Sequence, residues 1–550
     1  MTATLANGIL ETATTPFPDQ RPGTSGLRRK TRAFMQPRYL ENFVQAVFDV
    51  AAADAPLARE TLVLGGDGRY FNVPAIQTII RMAIANGFGR ILVARDGLLS
   101  TPAMSAVIRT RMALGGLMLS ASHNPGGIDA DFGVKFNVRN GGPAPEEVTE
   151  RIYRRTLEID RFRSVRLADL DLGRESDHQV GATRVSVFDP LADYVALLER
   201  LFDFGALRAL FRGGFRMCFD AMHAVTGPCA VHILEERLGA AAGTVVRAQP
   251  LPDFGGGHPD PNLVHAHALV ERMNAADAPD FGAACDGDGD RNLILGRGCF
   301  VSPGDSLALI VEHARRIPAY RDGLAGVARS MPTSTALDRV AASLGIACYE
   351  TPTGWKYFGD LLDAGLCSIC GEESFGTGSD HLREKDGLWA VLCWLSIIAA
   401  TGMTPARALD AHWRAFGRSY YQRHDFEDLD AAAAAEAVDA LRQRLPALAA
   451  ARFAGEAVVL ADDFAYRSPV TGATSEHGGI RIVLADGSRM VFRLSGTGTA
   501  GATLRVYLER YRRDGAAGDP EPHLAPLLEA AHALLQLRER FGRERATVIT

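Results

Sequence analysis

Short apolar runs alternate with amphipathic segments through the first two-thirds of the chain. "TLVLGGDGRY" (61–70) reads as a strand, "AIQTIIRMAIANG" (75–87) as a helix and "RILVA" (90–94) as the next strand. "SAVIRTRMALGG" then has helical spacing, and "LMLSAS" is again strand-like. This β-α-β-α-β order predicts a parallel or mixed sheet. It recurs twice. "FRMCFDAM", "PCAVHILEERLG" and "TVVRAQPL" lead to "DFGAACDGDGDRNLILG"; "GVARSM", "STALDRVAASLG", "IACYETP" and "GWKYFGDLLDAG" lead to "LCSICGEESFGTGSDH". Each block ends a short strand in a polar, Gly-rich loop, which predicts three α/β units that offer loops to a shared cleft. The last 130 residues differ: an Ala-rich helix follows "YYQRHDFEDLD", a "DG" turn lies between alternating apolar runs, and "LAPLLEAAHALLQLRERFG" reads as one final helix. That pattern predicts a C-terminal α+β domain. "GDPEP" reads as a surface loop, and the first 15 or so residues are expected to fray.

Composition narrows the function classes. A chain of 550 residues exceeds what one core supports. Hydrophobic content of 47%, 23% charged residues and a net charge of −6 describe a globular protein with no basic surface for nucleic acid or acidic lipid. The N-terminus has the features of no signal peptide, and "LWAVLCWLSIIAA" is too short to span a bilayer and reads as a buried helix. Eight scattered cysteines fit a reducing cytosol, and the Cys367–Cys370 pair reads as packing or edge thiols rather than zinc ligands.

Four loops carry candidate chemistry. In "DGDGDR", Asp286, Asp288 and Asp290 follow directly on an apolar run. Such crowded carboxylates are costly without a cation, and hard oxygen donors suit Mg²⁺ or Mn²⁺. An EF-hand fails, because Arg291 and Arg297 hold the positions where that loop needs Gly and Glu. The alternative is a solvated acidic turn. In "SASHNPGG", Ser122 stands at the end of an apolar run. It reads either as a capping serine in a turn or as a hydroxyl raised to the sheet's rim. The frame of a hydrolase elbow is missing, and in extended chain His123 faces away from Ser122, so no dyad is expected. A serine that carries a phosphoryl group beside a metal fits better. "RLSGTGTAG" puts Arg493 and Ser495 on one strand face before a Gly-rich turn that can cradle a phosphate, with Arg505 on the next strand. In "GEESFG", Glu372 and Ser374 face the same way if the loop is extended, which suits sugar hydroxyls; the alternative is a helix-capping loop. His223, His258, His265 and His267 show no ligand spacing and read as structural or surface residues.

Together, "RPGTSGLR", "SASHNPGG", "FGVKFN", "DGDGDRN", "ARSMPTS", "TPTGWK", "CGEESFGTGSDHLREKDGLWAVL" and "FRLSGTGTAGAT" resemble the α-D-phosphohexomutase superfamily, in the long phosphoglucomutase-type form shared by eukaryotes and some bacteria. The resemblance covers nearly the whole chain. It implies three related α/β domains with mixed sheets (1–188, 189–302 and 303–418) plus a C-terminal α+β domain (419–550) around a central cleft. It implies a phosphoserine at Ser122 that also faces the metal, Mg²⁺ on Asp286, Asp288 and Asp290, and His123 and Lys135 close to the phosphoserine, with Lys135 as the preferred general acid/base. Arg28, Arg291, Thr353, Gly354, Glu372, Ser374 and Lys385 match substrate-binding positions; Arg493, Ser495, Gly496, Thr497 and Arg505 match the site of the non-reacting phosphate.

The implied reaction interconverts glucose 1-phosphate and glucose 6-phosphate through glucose 1,6-bisphosphate, in the cytoplasm, by a monomer or homodimer whose partners are sugar phosphates. A phosphomannomutase, a glucose 1,6-bisphosphate synthase and a catalytically inactive scaffold are the alternatives. Ser120 stands where the family usually has Thr. Gly376 stands where mannose-accepting members tend to carry His, which favours glucose.

Overall fold

The strand that leads into the serine loop, Gly115–Leu119, is fully buried and central in the N-terminal sheet. It pairs in parallel with Thr61–Gly66, which pairs in parallel with Arg90–Leu98. On its other side Asp131–Val138 runs antiparallel, so Met118 lies opposite Lys135, and Leu27–Lys30 follows antiparallel at the edge. The sheet is therefore mixed, and Gly115–Leu119 ends where the serine loop begins. Helices Tyr39–Asp54 and Asn72–Ala85 bury Val44, Val47, Phe48, Ile76, Ile79 and Ile80 against it. The computed structural model describes residues 2–3, 8–23, 26–495 and 501–550. These fall into two compact units: the described residues of Met1–Gly298, Arg315–Asp322 and Phe375–Gly402, and those of Cys299–Ala314, Gly323–Ser374 and Met403–Thr550.

The first unit holds a second sheet in which Val245–Val246, Met217–Asp220 and Phe281–Cys285 are parallel and Asn292–Gly296 turns back antiparallel. Its tight turn carries the aspartates. Helix Gly387–Thr401 is buried through its first twelve residues, as its unbroken apolar run predicts.

In the second unit, Gly326–Ser330 lies between Ala347–Thr351 and Ile369–Gly371, all parallel. Cys367 and Cys370 pack here against Phe358, Leu361 and Leu362. The C-terminal sheet of this unit orders Arg452–Phe453, Glu456–Asp463, Ile480–Leu484, Arg489–Ser495, Ala502–Arg512, Arg418–Leu429 and Val548–Ile549. Helices Ala431–Leu448 and Glu521–Leu535 cover its apolar face.

Four local expectations are corrected. The N-terminal segment does not fray throughout: Ile9–Ala13 pairs antiparallel with Arg161–Val165, and Thr14 Oγ1 donates to Asn42 Oδ1 at 2.7 Å. The final helix is two, Glu521–Leu535 and Leu537–Phe541, broken where Gln536 adopts a left-handed φ of 53°. The strand begun at Thr61 stops at Gly66, because Asp67 turns inward to pair with Arg69. The helix over 228–239 changes to π geometry at Val231–Arg237.

A buried carboxylate fastens the C-terminal sheet to the loop after Gly326–Ser330. Glu509 accepts from Ser334 Oγ (2.9 Å), Thr335 N (3.0 Å), Thr335 Oγ1 (2.8 Å) and Arg489 Nε (2.7 Å). Burial alone would raise its pKa, but the Arg489 and Arg339 guanidiniums and the hydrogen bonds hold it down to about 2, against an ordinary 4.5. A folded pKa below the unfolded one stabilises the fold above pH 4.5, and that stabilisation is lost as pH falls toward 2. The shift corresponds to about 3 kcal/mol at neutral pH. Glu509→Gln is expected to cost about that much in chemical denaturation at pH 7, with the gap to wild type narrowing below pH 4.5. A gap that stays constant with pH would contradict the assignment.

Candidate active site

The serine loop is set by a buried ion pair. Asp67 and Arg69 are both inaccessible, with Arg69 Nε 2.9 Å from Asp67 Oδ2. Ser120 Oγ donates to Asp67 Oδ2 (2.6 Å), and Ser122 N donates to Ser120 Oγ (2.7 Å). Arg69 Nη2 donates to the Ser122 carbonyl (2.8 Å). These contacts hold Ser122 at a left-handed φ of 55°, a conformation that costs a non-glycine residue about 1 kcal/mol or more. Ser122 Oγ consequently points at the aspartate loop and donates to Asp286 Oδ2 at 2.9 Å. Gly287 has no alternative there, since a Cβ would stand 2.4 Å from the Ser122 carbonyl oxygen.

The same φ corrects the reading of His123. An extended backbone would send the two side chains apart, but the left-handed turn brings His123 Nδ1 to 3.4 Å from Ser122 Oγ. His258, expected to be merely structural, lies beside it: the two rings are parallel at 6.5 Å, and His265 follows at 4.0 Å from His258.

The three aspartates are buried, and one carboxylate oxygen from each falls within 4.8 Å of the others. The turn is built inward by its own backbone, with Asp290 N and Arg291 N donating to Asp286 Oδ1 (2.9 and 3.1 Å). Thr101 Oγ1 donates to Asp288 Oδ2 (2.7 Å), and Lys135 Nζ forms an ion pair with the same oxygen. Lys385 Nζ lies 3.2 Å from Asp290 Oδ2. Burial and the neighbouring Asp290 and Asp288 push the Asp286 carboxyl well above the usual carboxylate range. Burial acts on Asp288 the same way, but Lys135 and Thr101 overcome it and hold that carboxyl low. Asp288 Oδ1 and Asp290 Oδ1 are buried with no donor. Orphaned anionic oxygens on a converging triad suit a hard divalent cation.

Further cations line this unit. Arg28 Nε is buried without an acceptor, and Arg291 Nη1 donates to Asp260 Oδ1 (3.2 Å). The stem of Lys385 crosses Gly376 so closely that a Cβ there would lie 2.3 Å from its Cδ. Glu384, which sequence reasoning missed, is buried beside them and accepts from Asn137 Nδ2 (2.9 Å); burial raises its pKa to about 8.

The second unit carries a separate cluster. Gly354 N donates to Glu372 Oε1 (3.0 Å), and Thr353 Oγ1 is buried without a partner. The extended-loop reading of Glu372 and Ser374 does not hold: the chain turns through Glu373–Phe375, Phe375 has φ 65°, and Ser374 is half-buried. Glu373 takes the inner position, accepting from Ser330 Oγ (2.8 Å). In the C-terminal sheet, Arg493 and Arg505 stand directly opposite each other. Arg493 Nη1 donates to Tyr507 OH (3.1 Å), and Ser495 is buried at the strand end. Arg423 and Asp425 complete the cluster: Arg423 Nε is 3.1 Å and Arg505 Nε 3.6 Å from Asp425. Gly496 and Thr497 lie outside the described residues.

Four family descriptions match in chain order. They are the phosphoglucomutase/phosphomannomutase alpha/beta/alpha domains I (residues 19–163), II (192–298) and III (303–416), and the phosphoglucomutase-1 C-terminal domain (418–547). The chain belongs to the phosphoglucomutase family. Its fold is the family's, three α/β/α domains with mixed sheets and a C-terminal domain. It is 54% identical over 539 residues to a phosphoglucomutase of Rhizobium radiobacter, covering 98% of this chain and 99% of that one. It is 48% identical to cytoplasmic phosphoglucomutase 1 of Zea mays, over 98% and 99% of the two chains. The crystal structure of parafusin, a phosphoglucomutase from Paramecium, in its open form, superposes with a TM-score of 0.92 at 44% identity and 99% coverage of both chains. Membership at this level carries phosphoglucomutase activity: an isomerase that moves a phosphoryl group on a sugar phosphate.

Proposed function

We propose that Ser122 is the phosphoryl carrier in the interconversion of glucose 1-phosphate and glucose 6-phosphate. The observation that supports this most directly is the aim of Ser122 Oγ, 2.9 Å from Asp286 Oδ2 in a strained turn fixed by Asp67 and Arg69. In the first half-reaction the Oγ–P bond of phosphoserine breaks and a P–O bond forms to the free sugar hydroxyl. The hydroxyl proton passes to Lys135, whose amine would be free to accept it once Mg²⁺ on the aspartates displaces the ammonium from its ion pair with Asp288 and it gives up a proton to solvent. Glucose 1,6-bisphosphate, the intermediate and activator, then presents its other phosphate; that P–O bond breaks, Oγ–P re-forms, and Lys135 returns the proton to the sugar oxygen. Asp286, Asp288 and Asp290 would hold Mg²⁺, which neutralises charge developing on the transferring phosphoryl group. His123, Arg28 and Arg291 supply further positive or donor groups near the reacting phosphate, and the buried walls of the loop exclude water that would hydrolyse phosphoserine.

In this reading the sugar hydroxyls are taken by Glu372, Ser374, Thr353 and Gly354, with Lys385. The non-reacting phosphate is held by Arg493, Ser495 and Arg505, together with Gly496 and Thr497. Arg423 joins them. Eight scattered cysteines fit a reducing compartment, and we place the enzyme in the cytoplasm, the compartment printed in the names of two relatives.

A coupled assay on glucose 1-phosphate tests the activity, and Arg493→Ala tests the division of labour. Loss of a charge-assisted contact should cost about 2–3 kcal/mol in monophosphate binding. Phosphoenzyme formation from saturating glucose 1,6-bisphosphate should survive better than steady-state turnover at low bisphosphate, because the reacting group is untouched. Equal loss in both, or in neither, would remove Arg493 from the phosphate site.

A further inference from the structure

Arg423 and Asp425 of the arginine cluster sit on a strand whose outer edge, among the described residues, is covered at one place. Arg418–Leu429 is paired along its length with Ala502–Arg512 on one side. On its other side, among the described residues, it is paired by the short strand Val548–Ile549, with His424 opposite Ile549 and Asp425 opposite Val548. The flanking contacts extend this cover. Arg423 N donates to Thr550 O (2.7 Å), Thr550 N to Arg423 O (3.0 Å) and Thr547 N to Asp425 O (2.8 Å). Glu427 N donates to Thr547 Oγ1 (3.1 Å). The covered stretch, 423–427, is the one that carries Arg423 and Asp425.

The register explains why this matters. Arg423 and Asp425 are two apart and share a face. Asp425 is directly opposite Arg505, which is directly opposite Arg493. Asp425 is buried between Arg423 and Arg505, so the backbone position of 423–425 sets the position of two guanidiniums at once. Immediately beyond, the ladder is irregular between Phe426 and Leu429, and Asp428 has φ 55°. An edge strand next to a bulge twists away readily unless another strand pairs with it.

We propose that Thr547–Thr550 is a positioning element of the distal phosphate site: by pairing with Arg423–Glu427 it fixes Arg423, and through Asp425 also Arg505, in the geometry that receives the non-reacting phosphate. The inference rests on the reading of Arg493 and Arg505 as phosphate ligands. The segment itself touches no substrate.

The test is a truncation after Ala546, with Thr547→Ala as a milder variant that removes the Oγ1 acceptor of Glu427 N–H. A phosphate held alike in ground and transition states contributes uniform binding, so KM for glucose 1-phosphate should rise about tenfold on truncation and about threefold in Thr547→Ala, with kcat within about twofold of wild type. Because part of the effect runs through Arg423 and only the Arg505 route remains without it, truncation in an Arg423→Ala background should add about threefold rather than the full tenfold. A general weakening of the fold would lower kcat and the folded fraction instead, and would add fully in that background. An unchanged KM in Thr547→Ala, or full additivity with Arg423→Ala, overturns the proposal. If Arg493→Ala raises KM while both segment variants leave it alone, the positioning role fails and the phosphate site stands. If Arg493→Ala also leaves KM alone, the site reading itself has failed.

Discussion

Ser122→Ala is expected to abolish mutase turnover, a loss of about four orders of magnitude or more, in a protein that still folds. The reasons for both halves are structural. Ser122 Oγ and Thr101 Oγ1 both donate into the aspartate triad, but Thr101 Oγ1 is committed to Asp288, and Ser120 Oγ is committed to Asp67 and to the Ser122 amide. The loop's shape, in contrast, depends on backbone groups that alanine retains. The Ser122 carbonyl would still accept from Arg69, and its N–H would still donate to Ser120. The lost hydrogen bond to Asp286 should change stability by about 1 kcal/mol. Activity and melting temperature measured on the same preparation decide the matter. Substantial turnover by a folded Ser122→Ala protein would end the carrier role.

Asp288→Asn is expected to cost about 10²–10³-fold in kcat, or roughly 3–4 kcal/mol. The substitution removes one of the two orphaned carboxylate oxygens from the triad and also the counter-charge of buried Lys135. Thr101 Oγ1 can still donate to the amide oxygen, so the turn should keep its course. Two measurements separate the metal from the fold. Chelation should silence wild type and Mg²⁺ should restore it, while the variant should need markedly more Mg²⁺ to reach its lower maximum. Activity indifferent to chelator, or an unchanged Mg²⁺ requirement in Asp288→Asn, would count against the triad as the metal site.

Much of this was legible in the chain because local patterns and fold pointed the same way. The alternating blocks gave the strands at Thr61–Gly66, Arg90–Leu98, Phe281–Cys285 and Gly326–Ser330, since each is a short apolar run bounded by turn residues. The "DGDGDR" cluster was readable because three carboxylates after a buried strand have few stable uses. What escaped was long-range or depended on a single dihedral angle. Asp67 and Arg69 are two apart in sequence, but their role appears only when Arg69 reaches Ser122, 53 residues on. The relation of His123 to Ser122 turned on a φ of 55° that nothing local announces. Glu372 and Ser374 would share a face in an extended loop, yet a turn through Glu373–Phe375 separates them. Arg423 was hidden because nothing in "YYQRHDFEDLD" marks it until the ladder sets Asp425 against Arg505.

If Ser122 carries the phosphoryl group, the direct measurement is the location of that group on the chain. The purified protein would be incubated with glucose 1,6-bisphosphate labelled in its phosphates and with Mg²⁺, quenched in acid and digested, and the labelled peptide sequenced. Label is expected on the peptide containing Ser120–Gly127, assigned to Ser122, discharged by unlabelled glucose 1-phosphate or glucose 6-phosphate at a rate at least equal to turnover. Label at another residue, or label on Ser122 that monophosphate does not discharge at that rate, would contradict the carrier role.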